Sequence, residues 1–379
     1  MILILPIGLL AQSDSSAYRI QDVDAHFLMH YYSQDGVHSA VQGGEGPEDL
    51  TDVQGKIIIN ILTDSVKSFN MKLGVNHYTS ASTDQIDRVM SSASRKDSRA
   101  QIDLSYGRSF KKADLTFYGS ASIESDYFSA MAGFSIFKEI QKGNAELGFT
   151  NKSYFDNWVI ILPVELRGAS LPGFETSKRN SSNNSLTYWQ AVNKKLSFSI
   201  DLDLIYQYGL LSTPFHRVYF ENDSLSVERL PDSRFRYPVT FKLSYYPNNV
   251  ISVQMLYRFY NDDFKISSHT AEIALPVMLS NRFSIEPFYR FYSQSASAYF
   301  QAYGEHSINS NYQTSDYDLS EFKAHKLGAS LNYSPVWRFF EKKDQTFATI
   351  QTLSFRYAYY SREDGLFYNV ASAGVRFKL

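Results

Sequence analysis

The 379-residue sequence contains no cysteine. That excludes disulfides, thiolate metal sites and a cysteine nucleophile, and with them a lipid anchor of the kind attached through cysteine. The chain also lacks an excess of charge of either sign. Its 37 lysines and arginines stand against 39 aspartates and glutamates, a formal net charge of −2. No bulk field therefore directs it to nucleic acid or to an anionic surface. Long apolar runs are missing too: the best late stretch, Val159 to Val164, is interrupted by Pro163, whereas a spanning helix needs about 18 to 20 apolar residues. No phosphate loop, dinucleotide fingerprint or zinc-hydrolase motif is present, so no motif calls for a cofactor.

What is abundant is aromatic surface. Tyrosine and phenylalanine number 28 each and tryptophan 3, for 16% aromatics. Tyrosine suits a membrane barrel, with its ring against lipid and its hydroxyl among headgroups. Composition alone leaves a soluble β-sandwich or propeller open. Residues 1–11, MILILPIGLLA, are followed by Gln12-Ser13-Asp14. This pattern reads as the apolar core and cleavage site of a secretory signal, with a buried first strand as the competing reading. The basic residues that normally open such a signal are missing, so a start upstream of Met1 or a trimmed sequence is expected. The expected organisation is a signal over 1–11 and one barrel domain over 12–379.

The decisive signal is period two, because alternate side chains of a strand face opposite sides. Leu196, Phe198, Ile200, Leu202, Leu204 and Tyr206 fall on one face, and Ser197, Ser199, Asp201, Asp203, Ile205 and Gln207 on the other. The pattern recurs along the chain: Phe235, Tyr237, Val239, Phe241, Leu243 and Tyr245 oppose Arg236, Thr240, Lys242 and Ser244, and Phe283, Ile285, Tyr289 and Phe291 oppose Ser284, Glu286 and Arg290. The chain closes on Ala371, Ala373, Val375, Phe377 and Leu379 opposite Ser372, Gly374, Arg376 and Lys378. A terminal strand with that apolar face resembles the recognition segment of outer-membrane barrels. As an ordinary sheet edge in water it would invite aggregation.

Strands are predicted over 24–33, 55–62, 67–79, 99–108, 114–124, 127–137, 144–154, 185–192, 196–208, 234–246, 250–260, 268–278, 282–292, 323–333, 346–360 and 366–379. Their connections alternate. The long ones, 34–54, 80–98, 155–184, 209–233 and 293–322, share one side, as the extracellular loops of a barrel do. Two connections break the rule, Ser334 to Gln345 on the short side and the tight Ser125-Asp126 on the long side, and 185–192 alternates poorly. The fold expected is all-β, a transmembrane antiparallel up-and-down barrel of about 16 strands, within a range of about 14 to 18, in the bacterial outer membrane with both termini periplasmic.

Several stretches carry a family resemblance: Tyr31-Tyr32-Ser33-Gln34-Asp35 leading into His38-Ser39-Ala40-Val41-Gln42-Gly43-Gly44, Ser80 to Asp87 followed by Ser91 to Arg95, Leu211 to Phe220, Tyr257 to Asp263, and Ser268-His269-Thr270. Together they resemble a large family of Gram-negative exported proteins catalogued as a domain of unknown function, and the resemblance covers nearly the whole mature chain. It implies a barrel. Because genes of that family often lie beside an FMN transferase acting on exported proteins, it also implies a link to envelope redox chemistry. It supplies no catalytic residue.

Charges cannot face lipid cheaply: Arg or Lys at the midplane costs about 2 to 4 kcal/mol. The polar faces are therefore expected to line a lumen of mixed sign, with Asp201, Asp203, Lys242, Arg258, Glu272, Glu286, Arg290 and Arg356 as candidates for tuning selectivity, and Asp103, Glu124, Glu146, Lys326 and Arg376 beside them. The opposing reading is a lumen sealed by ion pairs. In the loops, Asp35 with His38, Asp84 with Asp87, and Asp262 with Asp263 offer cation ligands. None has a recognised metal-loop spacing, so solvated turn residues are the expected reading. Arg95 and His269 join them as loop-motif candidates. His26 and His30 share one strand face but stand roughly 13 Å apart at about 3.3 Å per residue, too far to share an ion. Ser212 and His216 place a hydroxyl near an imidazole, the minimum for a hydrolase, without a visible oxyanion hole.

The leading functional expectation is a channel or transporter for a small polar solute or ion, gated by its long loops. The alternatives are a non-conducting scaffold in an envelope assembly, in the flavin-linked setting implied by the resemblance, and an outer-membrane hydrolase. The partners expected are membrane lipid, the barrel-assembly machinery at the C-terminal strand, and an envelope protein. The stretch before residue 24 leaves no room for a plug domain, which argues against a TonB-coupled receptor.

Overall fold

A computed structural model describes residues 20–64, 66–80, 96–166, 175–335, 337–342 and 345–379. The expected signal segment and the candidates Asp84, Asp87 and Arg95 lie outside the described residues. The first eight strands are β1 (Ile20–Asp35), β2 (Leu50–Thr63), β3 (Lys67–Ser80), β4 (Lys96–Ser109), β5 (Asp114–Ile123), β6 (Tyr127–Ile140), β7 (Ala145–Val159) and β8 (Thr176–Asn193). The remainder are β9 (Leu196–Gly209), β10 (Ser233–Arg236 and Val239–Tyr245), β11 (Val253–Asn261), β12 (Ser267–Ala274 and Val277–Met278), β13 (Phe283–Gln294), β14 (Phe322–Tyr333 and Trp337–Lys342), β15 (Gln345–Arg362) and β16 (Phe367–Lys378). Each pairs antiparallel with the next, and β16 pairs back onto β1 from Asp24 opposite Lys378 to Asp35 opposite Phe367. The sixteen strands thus form a closed barrel without a free edge.

Proline accounts for the interruptions in β10 and β12, since it has no N–H to give a ladder. The Pro238 carbonyl accepts from Asp203 N–H and the Pro276 carbonyl from Ser252 N–H, both at 3.0 Å, so the strands stay in register across each gap. All sixteen predicted strands form, and several of their limits move; β1 starts at Ile20 rather than 24 and β2 at Leu50 rather than 55. β8 starts at Thr176 rather than 185 and β7 runs on to Val159, so the long connection shrinks to residues 160–175. Thr176 to Asn184 is polar on both faces, so it carries no alternation to read. Within the irregular Ser334–Gln345 connection, Trp337–Lys342 continues β14, paired with β15 from Trp337 opposite Ile350 to Lys342 opposite Gln345. β11 begins at Val253 rather than 250.

The two barrel faces differ as the alternation demands. On β9, Leu202, Leu204, Tyr206 and Tyr208 point outward and are 45 to 50% exposed. Phe27, Met29 and Tyr31 do the same on β1. This belt recurs on strands all round the barrel, an apolar surface far beyond what a water-soluble monomer exposes. The lumen side is mostly polar, with a small cluster of buried apolar residues in Ala274, Phe288 and Ala358. Tight burial of large side chains is found instead at the long-loop end, in Val218, Phe264 and His306.

Candidate functional site: a charged cavity beneath a cap of loops

The long loops fold into a cap. A hairpin pairs Arg217–Tyr219 with Leu225–Val227 in the β9–β10 loop, and a single 3-10 turn, Ala40–Gln42, forms in the β1–β2 loop. Arg217 joins them, donating through Nη1 to the Val41 carbonyl at 2.6 Å and through Nη2 to both carboxylate oxygens of Glu165 in the β7–β8 connection at 2.8 and 2.9 Å. Gly43 has φ +84°, and a Cβ there would stand 2.7 Å from the Tyr219 ring, so the close approach requires glycine. The β13–β14 loop completes the cap. Gln313 and Arg229 exchange backbone hydrogen bonds at 2.7 and 2.9 Å, Glu221 N–H donates to the His306 carbonyl, and Tyr317 stacks on His38 at 3.8 Å. Strands β1–β2 and β9–β10 lie on opposite sides of a sixteen-membered ring. The contact of Arg217 with Val41 therefore crosses the mouth.

Under the cap is a cavity of about 390 Å³. Its barrel wall is Tyr32, Gln34, Tyr360, Arg362 and Tyr368, and its roof includes Glu48, His216, Asp316 and Asp318. Tyr360 and Tyr368 stack at 4.4 Å, with Tyr32 at 4.9 Å from Tyr368. The Arg362 side chain, 3% exposed, bridges Asp318 at 2.6 Å and Asp364 at 2.7 Å. Burial pushes the Glu48 carboxyl up to about 7, with Asp318 and Asp364 adding to the shift and Arg362 opposing it. Burial likewise raises Asp316, with Asp318 behind it, to about 6.

Three of the roof groups converge. His216 Nδ1 lies 3.8 Å from Glu228 Oε1 and 3.8 Å from Asp316 Oδ2, and the three ligand atoms lie within 4.8 Å of one another. Glu228 is held by Thr213 N–H at 2.6 Å and by the Thr314 hydroxyl, and Asp316 by Asp318 N–H at 2.9 Å. Burial disfavours the imidazolium of His216, but Glu228, Asp316 and Asp318 outweigh it and raise the group above the ordinary histidine value. Burial would also raise Glu228; His216, Thr314 and Thr213 N–H overcome it and lower the carboxyl. Such a set of one imidazole and two carboxylates, opening on a cavity, is suited to a divalent ion.

The lumen candidates all fall on the inner face. Lys242 pairs with Asp201 at 2.9 Å, and Asp201 also accepts from Thr187 at 2.8 Å. Asp203 accepts from Ser185. Arg258 donates to Thr240 at 2.9 Å, Arg290 pairs with Glu272 at 2.6 Å, Arg356 lies 4.3 Å over the Phe288 ring, and Glu286 stands opposite Ser330. The loop candidates divide. His38 leaves Asp35 and bonds the Gly44 carbonyl at 2.9 Å. Asp262, whose side chain is fully buried, accepts from Arg234, Tyr260 and Ile266 N–H, and Asp263 from Phe235 N–H, so both are turn anchors. His269 stands in β12 with its ring outward, sharing a 2.7 Å hydrogen bond with Tyr257. Ser212 accepts from Leu230 N–H at 2.8 Å, while His216 turns to Glu228 and Asp316. His26 and His30 face the lumen, and His30 bonds Ser372 at 2.8 Å. The sequence reading did not select Glu48, Glu165, Arg217, Glu228, Asp316, Asp318 or Arg362. Arg362 closes β15 and Arg217 opens the cap hairpin; the others lie in irregular loop segments, where no periodicity marks them.

Fold and mouth together define a closed, sixteen-stranded antiparallel barrel of the outer-membrane type, capped at one end. The chain belongs to the family described as "Protein of unknown function (DUF3570)", which matches residues 11–371. No curated protein matches it. Among solved structures, the siderophore receptor PirA from Acinetobacter baumannii is 11% identical with a TM-score of 0.46, over 90% of this chain and 53% of that one. The ferric enterobactin receptor PfeA from Pseudomonas aeruginosa, as a mutant, is 10% identical with a TM-score of 0.44, over 89% and 53%. The chain thus spans about half the length of these two receptors. The outer membrane protein opdK from Pseudomonas aeruginosa is 7% identical with a TM-score of 0.42, over 96% of this chain and all of that one.

Proposed function

We propose that this protein is a bacterial outer-membrane channel or transporter for a small polar or charged solute, and that its interlocked long loops are the gate. One observation carries the reading: a cavity walled by inner-face strand residues and roofed by cap residues, with acids, an arginine and an imidazole at its surface. Such a chamber meets a solute between the outside and the lumen, and the Lys242–Asp201 and Arg290–Glu272 pairs below would then tune its passage down the barrel. The long loops are extracellular and both termini periplasmic in this reading, with β16 as the segment presented to the assembly machinery.

The test is single-channel recording in a planar bilayer. The wild type is expected to be mostly closed, and Arg217→Ala, which unties three loops, to raise the open probability several-fold. Lys242→Ala should shift ion selectivity in the opened variant. Silence from both wild type and Arg217→Ala would overturn the channel reading. The cap that suggests a gate equally supports a second reading, a permanently closed barrel serving as a scaffold in an envelope assembly, for which the family's implied link to flavin transfer is the natural setting. That reading expects no conductance from either protein and a stable partner in mild detergent.

A further inference from the structure

His216, Glu228 and Asp316 are assembled from two loops that are separated in sequence by four strands, yet their ligand atoms converge within 4.8 Å. His216 Nδ1 is shut off from solvent and has no hydrogen-bond partner. At 3.8 Å from each carboxylate it is beyond hydrogen-bond length but within easy reach of a shared ion. An ion with bonds of about 2.0 to 2.2 Å in tetrahedral array sets its ligand atoms roughly 3.3 to 3.6 Å apart, so the two His216–carboxylate distances need shorten by only a few tenths of an ångström, and the two carboxylates close from within 4.8 Å of each other. The supporting hydrogen bonds are of the kind that orient ligands at metal centres: Thr213 N–H and Thr314 fix Glu228, and Asp318 N–H takes Asp316 Oδ1, leaving Oδ2 toward His216.

We propose that these three residues form a binding site for a divalent transition cation. One imidazole with two carboxylates favours Zn²⁺ or Mn²⁺ over Ca²⁺, which takes six to eight oxygens. Since His216 and Asp316 also line the cavity, the remaining coordination positions face it. The ion ties the β9–β10 loop to the β13–β14 loop and so fastens the cap. This inference does not depend on whether the barrel conducts.

The experiment uses the full-length barrel in detergent micelles, stripped with chelator and titrated with Zn²⁺ or Mn²⁺ alone against a chromophoric competitor. One ion per chain is expected for the wild type. His216→Ala should weaken binding by about 100-fold or more and Asp316→Asn by at least about 10-fold, since even supporting residues at such sites are worth about 10- to 100-fold. His269→Ala, which removes an imidazole on the outer face of β12, should leave binding unchanged. Bound metal should slow amide exchange in residues 209–232 and 295–321 of the wild type and not of the variants. If His216→Ala fails to show heat-modifiable gel mobility, Asp316→Asn carries the test, because its side chain is partly exposed. The proposal is overturned if neither ion binds stoichiometrically to the wild type, or if both variants bind as tightly as it does.

Discussion

Glu48 shows how a single carboxyl can set the firmness of the cap. It enters the roof between Gly36 and Arg362, with Asp318 and Asp364 nearby, and its Oε2 has no hydrogen-bond partner. Burial raises its pKa from 4.5 to about 7. A folded-state pKa above the unfolded one means that the docked loop binds more protons than the released loop, so docking weakens as pH rises. The contribution is complete below about pH 4.5 and is lost as pH climbs through 7. Amide exchange in residues 36–49 should therefore quicken between pH 4.5 and 7.5 beyond its intrinsic pH dependence, and Glu48→Gln should remove that excess. An excess that persists unchanged in Glu48→Gln assigns it elsewhere. At this scale the sequence was least informative. His216 was singled out beside Ser212, which is in fact engaged by Leu230 N–H. Of its true neighbours, Glu228 meets it across the hairpin of its own loop, where Glu228 N–H donates to the His216 carbonyl at 2.9 Å, and Asp316 meets it because barrel closure brings a distant loop alongside, a meeting that no local pattern encodes.

Elements were far more legible, because burial of one face enforces alternation and alternation is visible in a line of letters. The first half of β8 is the instructive failure. On its outer face Ser182 and Asn184 meet Asn151 and Ser153 of β7, where an apolar residue is the rule. Asn151 donates to Asn184 at 2.8 Å, and Asn184 donates to Ser182 at 3.3 Å. These groups satisfy one another, which permits polar residues where period two predicts grease. A double-mutant cycle on Asn151→Ala and Asn184→Ala, read by urea unfolding in lipid vesicles, should give a coupling on the order of 1 kcal/mol. A coupling near zero would mean that the pair is solvated and stands outside the apolar belt. β14 likewise runs past its predicted end, Trp337 to Lys342 extending its hairpin with β15.

The whole molecule rests on a simple physical division, with hydrocarbon outside, water and charge inside, and a folded cap across one mouth. Its outward residues are too apolar and too numerous for water, its inward residues are mostly polar with their charges paired or solvated, and among the described residues the large fully buried side chains gather in the cap. The absence of cysteine makes this division directly measurable. Single cysteines placed in turn along residues 201–207 of β9, spin-labelled in lipid vesicles, can be probed with oxygen and with a water-soluble nickel chelate. Labels at Leu202, Leu204 and Tyr206 should be open to oxygen and shielded from the chelate, and labels at Asp201, Asp203 and Gln207 the reverse, with a strict period of two. Uniform access to the chelate along the strand, or uniform shielding, would contradict the account.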